Sequence, residues 1–440
     1  MQQIIQPRLL RGFRDFLPPT ALARKRIQEK LAEVFALFGF LPIDTPALEY
    51  AEILLGKGGG ETDKLVYRFL DHGKRDVALR FDLTIPFARF MALHRHELTL
   101  PFKRYHIGKV WRGENTQAGR YREFTQIDFD IVGVDSASAD FEILLLMQNS
   151  LSALGIEEFK IHLSHRGLFT RLLEKLKVAG DSLPVLRAID KLPKLGREKV
   201  AELLEELCSP GQARTLLELI QPEPSFGQTL DKLRTFLGPE SEAMERLVTL
   251  QRCVQECGLE AHFAFNPSIA RGLDYYTGVV FETFLLKLPR IGSVCSGGRY
   301  NNLASLYTEE RLPGVGSSIG LDRLLAALEE LRLLGAQAQG PQLIILFLEP
   351  SLLASYHRLA SRFREAAFAV EVFPEPRKLA LQFAFAEKRG IPLALICGET
   401  EHRQGTLILK DLGSRKSYKG LSLEEALRKA GELLKARPGS

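Results

Sequence analysis

The stretch Tyr105–Gly133, YHIGKVWRGENTQAGRYREFTQIDFDIVG, constrains this chain more than any other. Two alternating runs, Tyr105–Arg112 and Tyr121–Val132, flank a polar loop at Gly113–Gly119. Alternation at period two on either side of such a loop predicts a β-hairpin with a long tip. One face is expected to present Arg112, Arg120, Arg122, Glu123, Gln126, Asp128 and Asp130. That is far more polar than an ordinary buried face, because a charge taken out of water needs a partner. A hairpin that sets arginines beside acids and an amide suits a ligand carrying both signs of charge. The alternative is an exposed face laced with salt bridges.

At 440 residues the chain exceeds a single core, so two or three domains are expected. No apolar run approaches the roughly 18 residues of a membrane span. The N-terminal MQQIIQPRLLRGFRDF has no apolar signal core or small-residue cleavage site, so no membrane partner and a cytoplasmic location are expected. Five cysteines, odd in number and without a CxxC pair, fit free thiols in a reducing compartment. Cys253 and Cys257 lie one helical turn apart but have no His or Cys partner nearby, so no metal site is expected. Residues 341–440 hold 16 Lys and Arg against 11 Asp and Glu, which is the whole net charge of +5. Such asymmetry points to a polyanion near the C-terminus, or to a merely solvated basic surface.

Along the chain, residues 21–38 read as an amphipathic helix with Ile27, Leu31, Val34, Phe35 and Phe38 on one face, stopped by Gly39. Residues 40–46, FLPIDTP, read as an extended strand whose prolines suit a sheet edge or a subunit boundary. The glycine-rich start of 56–71 is neither a Walker loop nor GxGxxG and is expected to be a mobile flap, leading into a strand over 65–70. A short strand, 77–81, ends in Asp82-Leu83-Thr84, with a helix from about Ile85-Pro86. Asp82 and Thr84 suit a helix N-cap.

The pattern predicts a helix over 138–154 and a strand over 159–163, then mostly charged helices from Gly167 to about Gly258. Strands return over 262–286, and a glycine-rich strand at 314–320 runs into a helix from Leu321. Residues 333–342 read as a linker. Beyond it, β and α segments alternate, which predicts a small α/β domain with a largely parallel sheet. The expected organisation is therefore residues 1–166, a helical insertion at 167–258, a return to the first domain at 259–332, a linker at 333–342 and a last domain at 343–440.

Over about residues 8 to 430 the sequence resembles the class II histidyl-tRNA synthetases. FGFLPIDTP looks like class II motif 1 with Pro46 as its proline, the hairpin like motif 2 with Arg112 as its arginine, and GVGSSIGLDRLLAAL like motif 3 with Arg323 as its arginine. RGLDYYTGVVFE (271–282) and SGGRYNNL (296–303) resemble stretches specific to the histidine enzymes. Residues 378–412 resemble the family's anticodon-binding domain. The resemblance implies an α+β catalytic domain with an antiparallel sheet, a helical insertion and a C-terminal α/β anticodon-binding domain. It also implies a homodimer acting on L-histidine, ATP with Mg²⁺ and tRNA(His), with no permanent cofactor.

By the same resemblance, Arg112, Arg271 and Arg323 are the catalytic residues, gripping phosphate. Arginine suits that work because its planar fork binds phosphate bidentately and keeps its charge. Glu114 and Phe124 join them at ATP. Asp82, Thr84, Gln126, Asp130, Tyr276 and Tyr300 are implied to hold histidine, with Asp82 and Thr84 on the ammonium and Asp130 on the imidazole. Asn115, Gln117 and Arg120 are candidates for the tRNA acceptor end. GGRYNN puts Asn301 where the family often has an acid; there it is expected to support a turn. Asp82 and Asp130 are aspartates where many bacterial members carry glutamate, so a closer ligand pose is expected. The competing reading is a non-catalytic histidine-binding paralogue, such as the regulatory subunit of ATP phosphoribosyltransferase. Such proteins generally lack the last domain and much of the phosphate-gripping set.

Overall fold

The structure, a computed structural model, describes residues 5–56, 65–116, 119–178, 182–238, 241–269, 276–334 and 340–437. It divides into two compact units, Met1–Asp15 with Ala23–Leu333 and Phe16–Leu22 with Leu334–Ser440.

Helix α1 (Pro18–Leu37) buries Ile27, Leu31, Val34 and Phe35, a three-to-four spacing that makes one apolar stripe. Phe35 sets its ring 5.2 Å from Tyr105 and 5.1 Å from Phe129, which fixes the stripe on the hairpin. Of the expected strand over 40–46 only β1 (Leu41–Pro42) joins a ladder, at a sheet edge as its prolines require. A small antiparallel sheet follows, made of β2 (Leu48–Tyr50), β3 (Arg68–Leu70) and β4 (Asp76–Leu79), with α2 (Ala51–Leu55) between its first two strands. The expected flap at 57–64 lies outside the described residues. Helix α3 (Thr84–Leu93) starts where the Pro86 boundary places it.

The hairpin is real; its first strand starts three residues before the sequence pattern and its second starts two residues after it. Strands β5 (Phe102–Trp111) and β6 (Glu123–Val132) pair antiparallel over their whole length. Helix α4 (Ala137–Ala153), capped by the Ser136 hydroxyl, and β7 (Phe159–His165) follow. Among the described residues six helices come next: α5 (Arg166–Lys175), α6 (Ser182–Ile189), α7 (Leu192–Glu205), α8 (Pro210–Leu219), α9 (Phe226–Leu237) and α10 (Glu242–Glu256). They bury a cluster of their own, including Leu172, Val200, Leu216, Leu233 and Leu247. The chain then returns through β8 (Phe263–Phe265), β9 (Val279–Leu285), β10 (Cys295–Tyr300), β11 (Gly314–Gly320) and α11 (Leu321–Glu330).

The large sheet has the order β1-β5-β6-β11-β10-β9-β7-β8 and is antiparallel except at its two ends, β1·β5 and β7·β8. Two glycines are forced by close approach. A Cβ on Gly297 would stand 2.1 Å from the Gly316 carbonyl, and one on Gly316 would stand 1.9 Å from Oδ1 of Asp130.

The second unit holds β12 (Leu343–Ile345), α12 (Leu353–Glu365), β13 (Val370–Val372), α13 (Leu379–Lys388), β14 (Leu393–Ile396), α14 (Glu399–Gln404), β15 (Leu407–Asp411), β16 (Ser417–Leu421) and α15 (Leu423–Lys435). Its sheet order is β13-β12-β14-β15-β16. The largely parallel sheet expected here is in fact mixed: β13, β12 and β14 are parallel, whereas β15 and β16 run antiparallel. The cause is connector length. A parallel crossover needs a dozen or more residues. The link 397–406 with its single short helix, and the tight link 412–416, permit only reversal.

Candidate active site

Between the hairpin, the turn into α3, strands β9 to β11 and the start of α11 lies a cavity of about 560 Å³. Of the residues expected from sequence, Asp82, Thr84, Arg112, Glu114, Arg120, Phe124, Gln126, Tyr276 and Arg323 line it. Antiparallel pairing explains how. Gly108 faces Gln126 and Val110 faces Phe124, so the even-numbered side chains of β5 and β6 share one face, and Arg112 leaves the end of β5 on it.

Each wall group is held by local structure. Oδ1 of Asp82 accepts the Ile85 backbone N–H at 3.1 Å, from the position before the N-cap, Leu83; Thr84, the other residue expected to cap, is the first residue of the helix. Its Oδ2 is buried and has no hydrogen-bond partner among the described residues. Burial pushes this carboxyl up to about 6, against the pull of Arg112 and Arg104. Nε of Arg112 donates to the Phe81 carbonyl at 2.8 Å and its Nη2 to Oε1 of Gln126 at 3.4 Å. Its guanidinium carbon lies 5.1 Å from the Phe124 ring centroid, so the ring steadies the arginine. Gln126 donates in turn to the Ser318 hydroxyl at 2.7 Å. Glu114 pairs with Arg120, and Arg323 donates to the Ser293 carbonyl.

Beside Arg323, Asp322 anchors the helix start. Its Oδ1 takes Arg14 and Arg24, each at 2.6 Å, and its Oδ2 takes the Thr125 backbone N–H at 2.9 Å. Residues far apart in sequence thereby fix α11 against the hairpin.

Behind the cavity, Asp130 and Tyr300 are buried and are not among its lining residues. The Tyr300 hydroxyl donates to Oδ1 of Asp130 at 2.6 Å, and Oδ2 lies 2.6 Å from Nη2 of Arg104. Burial raises Asp130, while Arg104 and the Tyr300 hydrogen bond pull it down. Asp128 is pushed up to about 7 by burial, with Arg104 opposing and Asp130 adding to the rise. His106, buried beside Arg104 and Arg80, is held down to about 3 although its Nε2 lies 3.0 Å from Asp44.

Two expected site residues, Arg271 and Gln117, lie outside the described residues. Asn115 is exposed on the hairpin loop and is not among the cavity-lining residues. The expected face needs correction at three residues. Glu123 is odd-numbered and points away, taking Trp111 Nε1 at 2.9 Å and Lys109 Nζ at 2.8 Å on the opposite face. Arg120 and Arg122 lie beyond the strands, where Nε of Arg122 donates to the Glu114 carbonyl at 3.3 Å. Asn301 bonds Asp135 through Nδ2 at 2.8 Å and accepts from Arg299 at 3.3 Å.

The reading from sequence missed Arg104, His106 and Asp322. The first two were within reach, since they share the even parity of Arg112 on a strand that begins three residues before Tyr105. Asp322 carried only the local signal of an acid in a first helical turn.

The family model for histidyl-tRNA synthetase matches residues 12–324, and the model for an anticodon-binding domain matches residues 342–433. A histidine–tRNA ligase of Treponema denticola is 52% identical over 397 residues, covering 89% of each chain. One from Rhodopirellula baltica is 47% identical over 420 residues, covering 94% of this chain and 95% of its own. The crystal structure of histidyl-tRNA synthetase from Nostoc sp. PCC 7120 superposes with a TM-score of 0.86 at 32% identity, covering 99% of this chain and 100% of that one. With a cavity that joins a buried carboxylate oxygen, unmatched among the described residues, to three arginines, and with these matches along nearly its whole length, the chain belongs to the histidyl-tRNA synthetase family.

Proposed function

We propose that this chain activates L-histidine with ATP and transfers it to the 3′ end of tRNA(His). The observation that carries the reading is the cavity's mixed polarity. One wall holds an acid with an unfilled oxygen, and others hold Arg112 and Arg323. A zwitterion and a polyphosphate together match that pattern. An amino acid brings the ammonium for Asp82, and ATP brings the anions for the arginines.

In the first step a carboxylate oxygen of histidine bonds to the α-phosphorus, and the bond from that phosphorus to the bridging oxygen breaks. Histidyl-adenylate and pyrophosphate result. Two anions must approach, so the protein's work is to position them and to neutralise the charge building on the α-phosphate. Arg112 and Arg271 take that phosphate and Arg323 the distal ones; Mg²⁺ arrives with ATP as part of the substrate. Glu114 orients the adenine, Phe124 stacks on it, and Gln126 steadies the carboxylate. Thr84 joins Asp82 on the ammonium, while Asp130, Tyr276 and Tyr300 meet the imidazole. A site that bonds both ring nitrogens rejects analogues because the wrong side chain strands a buried polar partner.

In the second step a hydroxyl oxygen of the terminal ribose of the tRNA bonds to the acyl carbon, the bond from that carbon to the phosphate oxygen breaks, and AMP leaves as the hydroxyl proton is lost; Asn115, Gln117 and Arg120 on the hairpin tip meet the acceptor end. Residues 1–166 and 259–332 form the catalytic domain, 167–258 its helical insertion, and 343–440, after a linker at 333–342, the anticodon-binding domain. The basic excess of the last hundred residues supports a tRNA contact there, which salt should weaken. The enzyme works as a homodimer in the cytoplasm. Leu48, Tyr50 and Phe69, exposed on the small sheet, support a second copy covering that face, and the five free cysteines suit a reducing compartment.

Histidine-dependent ATP–pyrophosphate exchange, followed by charging of tRNA(His), tests the reading. Tight histidine binding without exchange would instead identify a histidine-binding paralogue.

A further inference from the structure

Among the described residues Arg104 is the largest fully buried side chain, with none of its surface exposed. Nothing in the proposed reaction uses it. A guanidinium at that depth is costly unless its surroundings repay it. Its surroundings are acidic. Nη2 lies 2.6 Å from Oδ2 of Asp130, and its positive field reaches Asp82 and Asp128 as well. The contact with Asp130 is an ion pair without hydrogen-bond geometry; Nη1 reaches the Asp128 carbonyl only at 3.5 Å, and neither Nε nor Nη2 makes a hydrogen bond among the described residues. The guanidinium carbon sits 4.0 Å from the Phe87 ring centroid, which fixes the plane of the group from the α3 side.

The arrangement is therefore a chain. Arg104 holds one oxygen of Asp130, Tyr300 holds the other at 2.6 Å, and Tyr300 packs beside Tyr276, which lines the cavity. A guanidinium with poor hydrogen bonds but three acids within its field serves charge more than geometry.

We propose that Arg104 is the positioning residue of the histidine side-chain pocket, keeping Asp130 ionised and aligned with Tyr300 so that the pair presents an acceptor to the imidazole. This rests on the reading that Asp130 recognises the imidazole. Arg104 touches neither substrate nor reacting atoms; it acts through Asp130. Facing this pair are Asp82 from the turn into α3, Asp128 from β6, His106 from β5, Tyr300 from β10, and the cations Arg80 and Arg112. His106 is held neutral there, so Arg104 is the cation in direct contact with Asp130.

The sign follows. Burial already favours the protonated acid, and removing the cation raises the Asp130 pKa further. The ionised acceptor then exists only at higher pH. The test is the KM for histidine in pyrophosphate exchange across pH, with the full chain, for wild type, Arg104→Met, Arg104→Lys and Asp130→Asn. Titration of free histidine is common to all four and cancels in the ratios.

Arg104→Met should raise the histidine KM at least about tenfold, leave the ATP KM within about twofold, and move the histidine profile to higher pH. Arg104→Lys should keep the wild-type pH profile with a smaller rise in KM. Should the methionine variant not fold, the lysine variant decides: a histidine-specific rise in KM supports the proposal. An unchanged histidine KM in a folded Arg104 variant, or equal loss for histidine and ATP, overturns it. Loss in Asp130→Asn without loss in Arg104→Met overturns the role of Arg104 and spares the imidazole reading. Normal histidine KM in both Asp130→Asn and Arg104→Met refutes the imidazole reading itself.

Discussion

Two buried charge clusters lie in the first unit, and they are built on opposite plans. Around Asp140 every charge is answered. Nε of Arg299 donates to Oδ1 at 2.8 Å, Nη1 of Arg246 donates to Oδ2 at 2.9 Å, and Arg246 also reaches Asp135 at 2.9 Å. At and behind the cavity, the buried aspartates Asp82, Asp128 and Asp130 all lie in the field of the buried Arg104, and Oδ2 of Asp82 has no hydrogen-bond partner among the described residues. The first cluster joins α4, α10 and β10 and reads as scaffold. The second is an incomplete set, and a buried polar atom without a partner is stable only if something else supplies one. Completeness separates a brace from a binding site.

Breaking the brace should have the largest effect. Arg299→Met leaves Asp140 buried with one partner fewer, so a loss of about 3–5 kcal/mol is expected in denaturant unfolding. A loss below about 1 kcal/mol would mean that the two clusters differ less than the geometry indicates. Arg112→Ala, by contrast, should unfold like the wild type yet slow pyrophosphate exchange by about 10²–10³-fold, the usual cost of one oriented donor at a developing charge. Near-normal exchange in that variant would remove Arg112 from the reaction.

Asp82→Asn sharpens the contrast from the other side. Taking away an underpartnered charge should leave stability unchanged or improved while raising the histidine KM by about tenfold to hundredfold. Parallel losses of stability and affinity would place Asp82 with the brace.

The smallest expected effect is in pH. The Asp82 carboxyl rises from its ordinary 3.8 to about 6 in the folded chain, so the folded state keeps a proton that the unfolded state has lost. Its contribution to stability therefore declines as pH rises through that window. Histidine affinity should move the other way, increasing as the carboxylate forms. Both trends are read as wild type minus Asp82→Asn, because His106 and His165, held down to about 3 and 4, carry opposite slopes. A difference flat from pH 4 to 7 would contradict the assignment.

What the sequence made legible follows from locality. Periodicity placed the hairpin, the helix α1 and the α11 start, because burial writes period two or 3.6 directly into the residues. Most cavity residues came with the motifs that resemble the family. Arg104 escaped because it precedes the alternating run that begins at Tyr105, although the register of that run places it opposite Asp130. The anchoring of Asp322 by Arg14 joins residues 308 positions apart, which no local pattern encodes. The antiparallel turn of β15 was hidden in a connector too short for the crossover that alternation suggested.

The central claim is that the incomplete cluster is completed by histidine at a site that also grips ATP. Pyrophosphate exchange measured with and without histidine tests it most directly. Exchange that depends on histidine, and falls when Asp82 is replaced by Asn, is the expected result. Exchange that ignores histidine, or no exchange despite tight histidine binding, would contradict it.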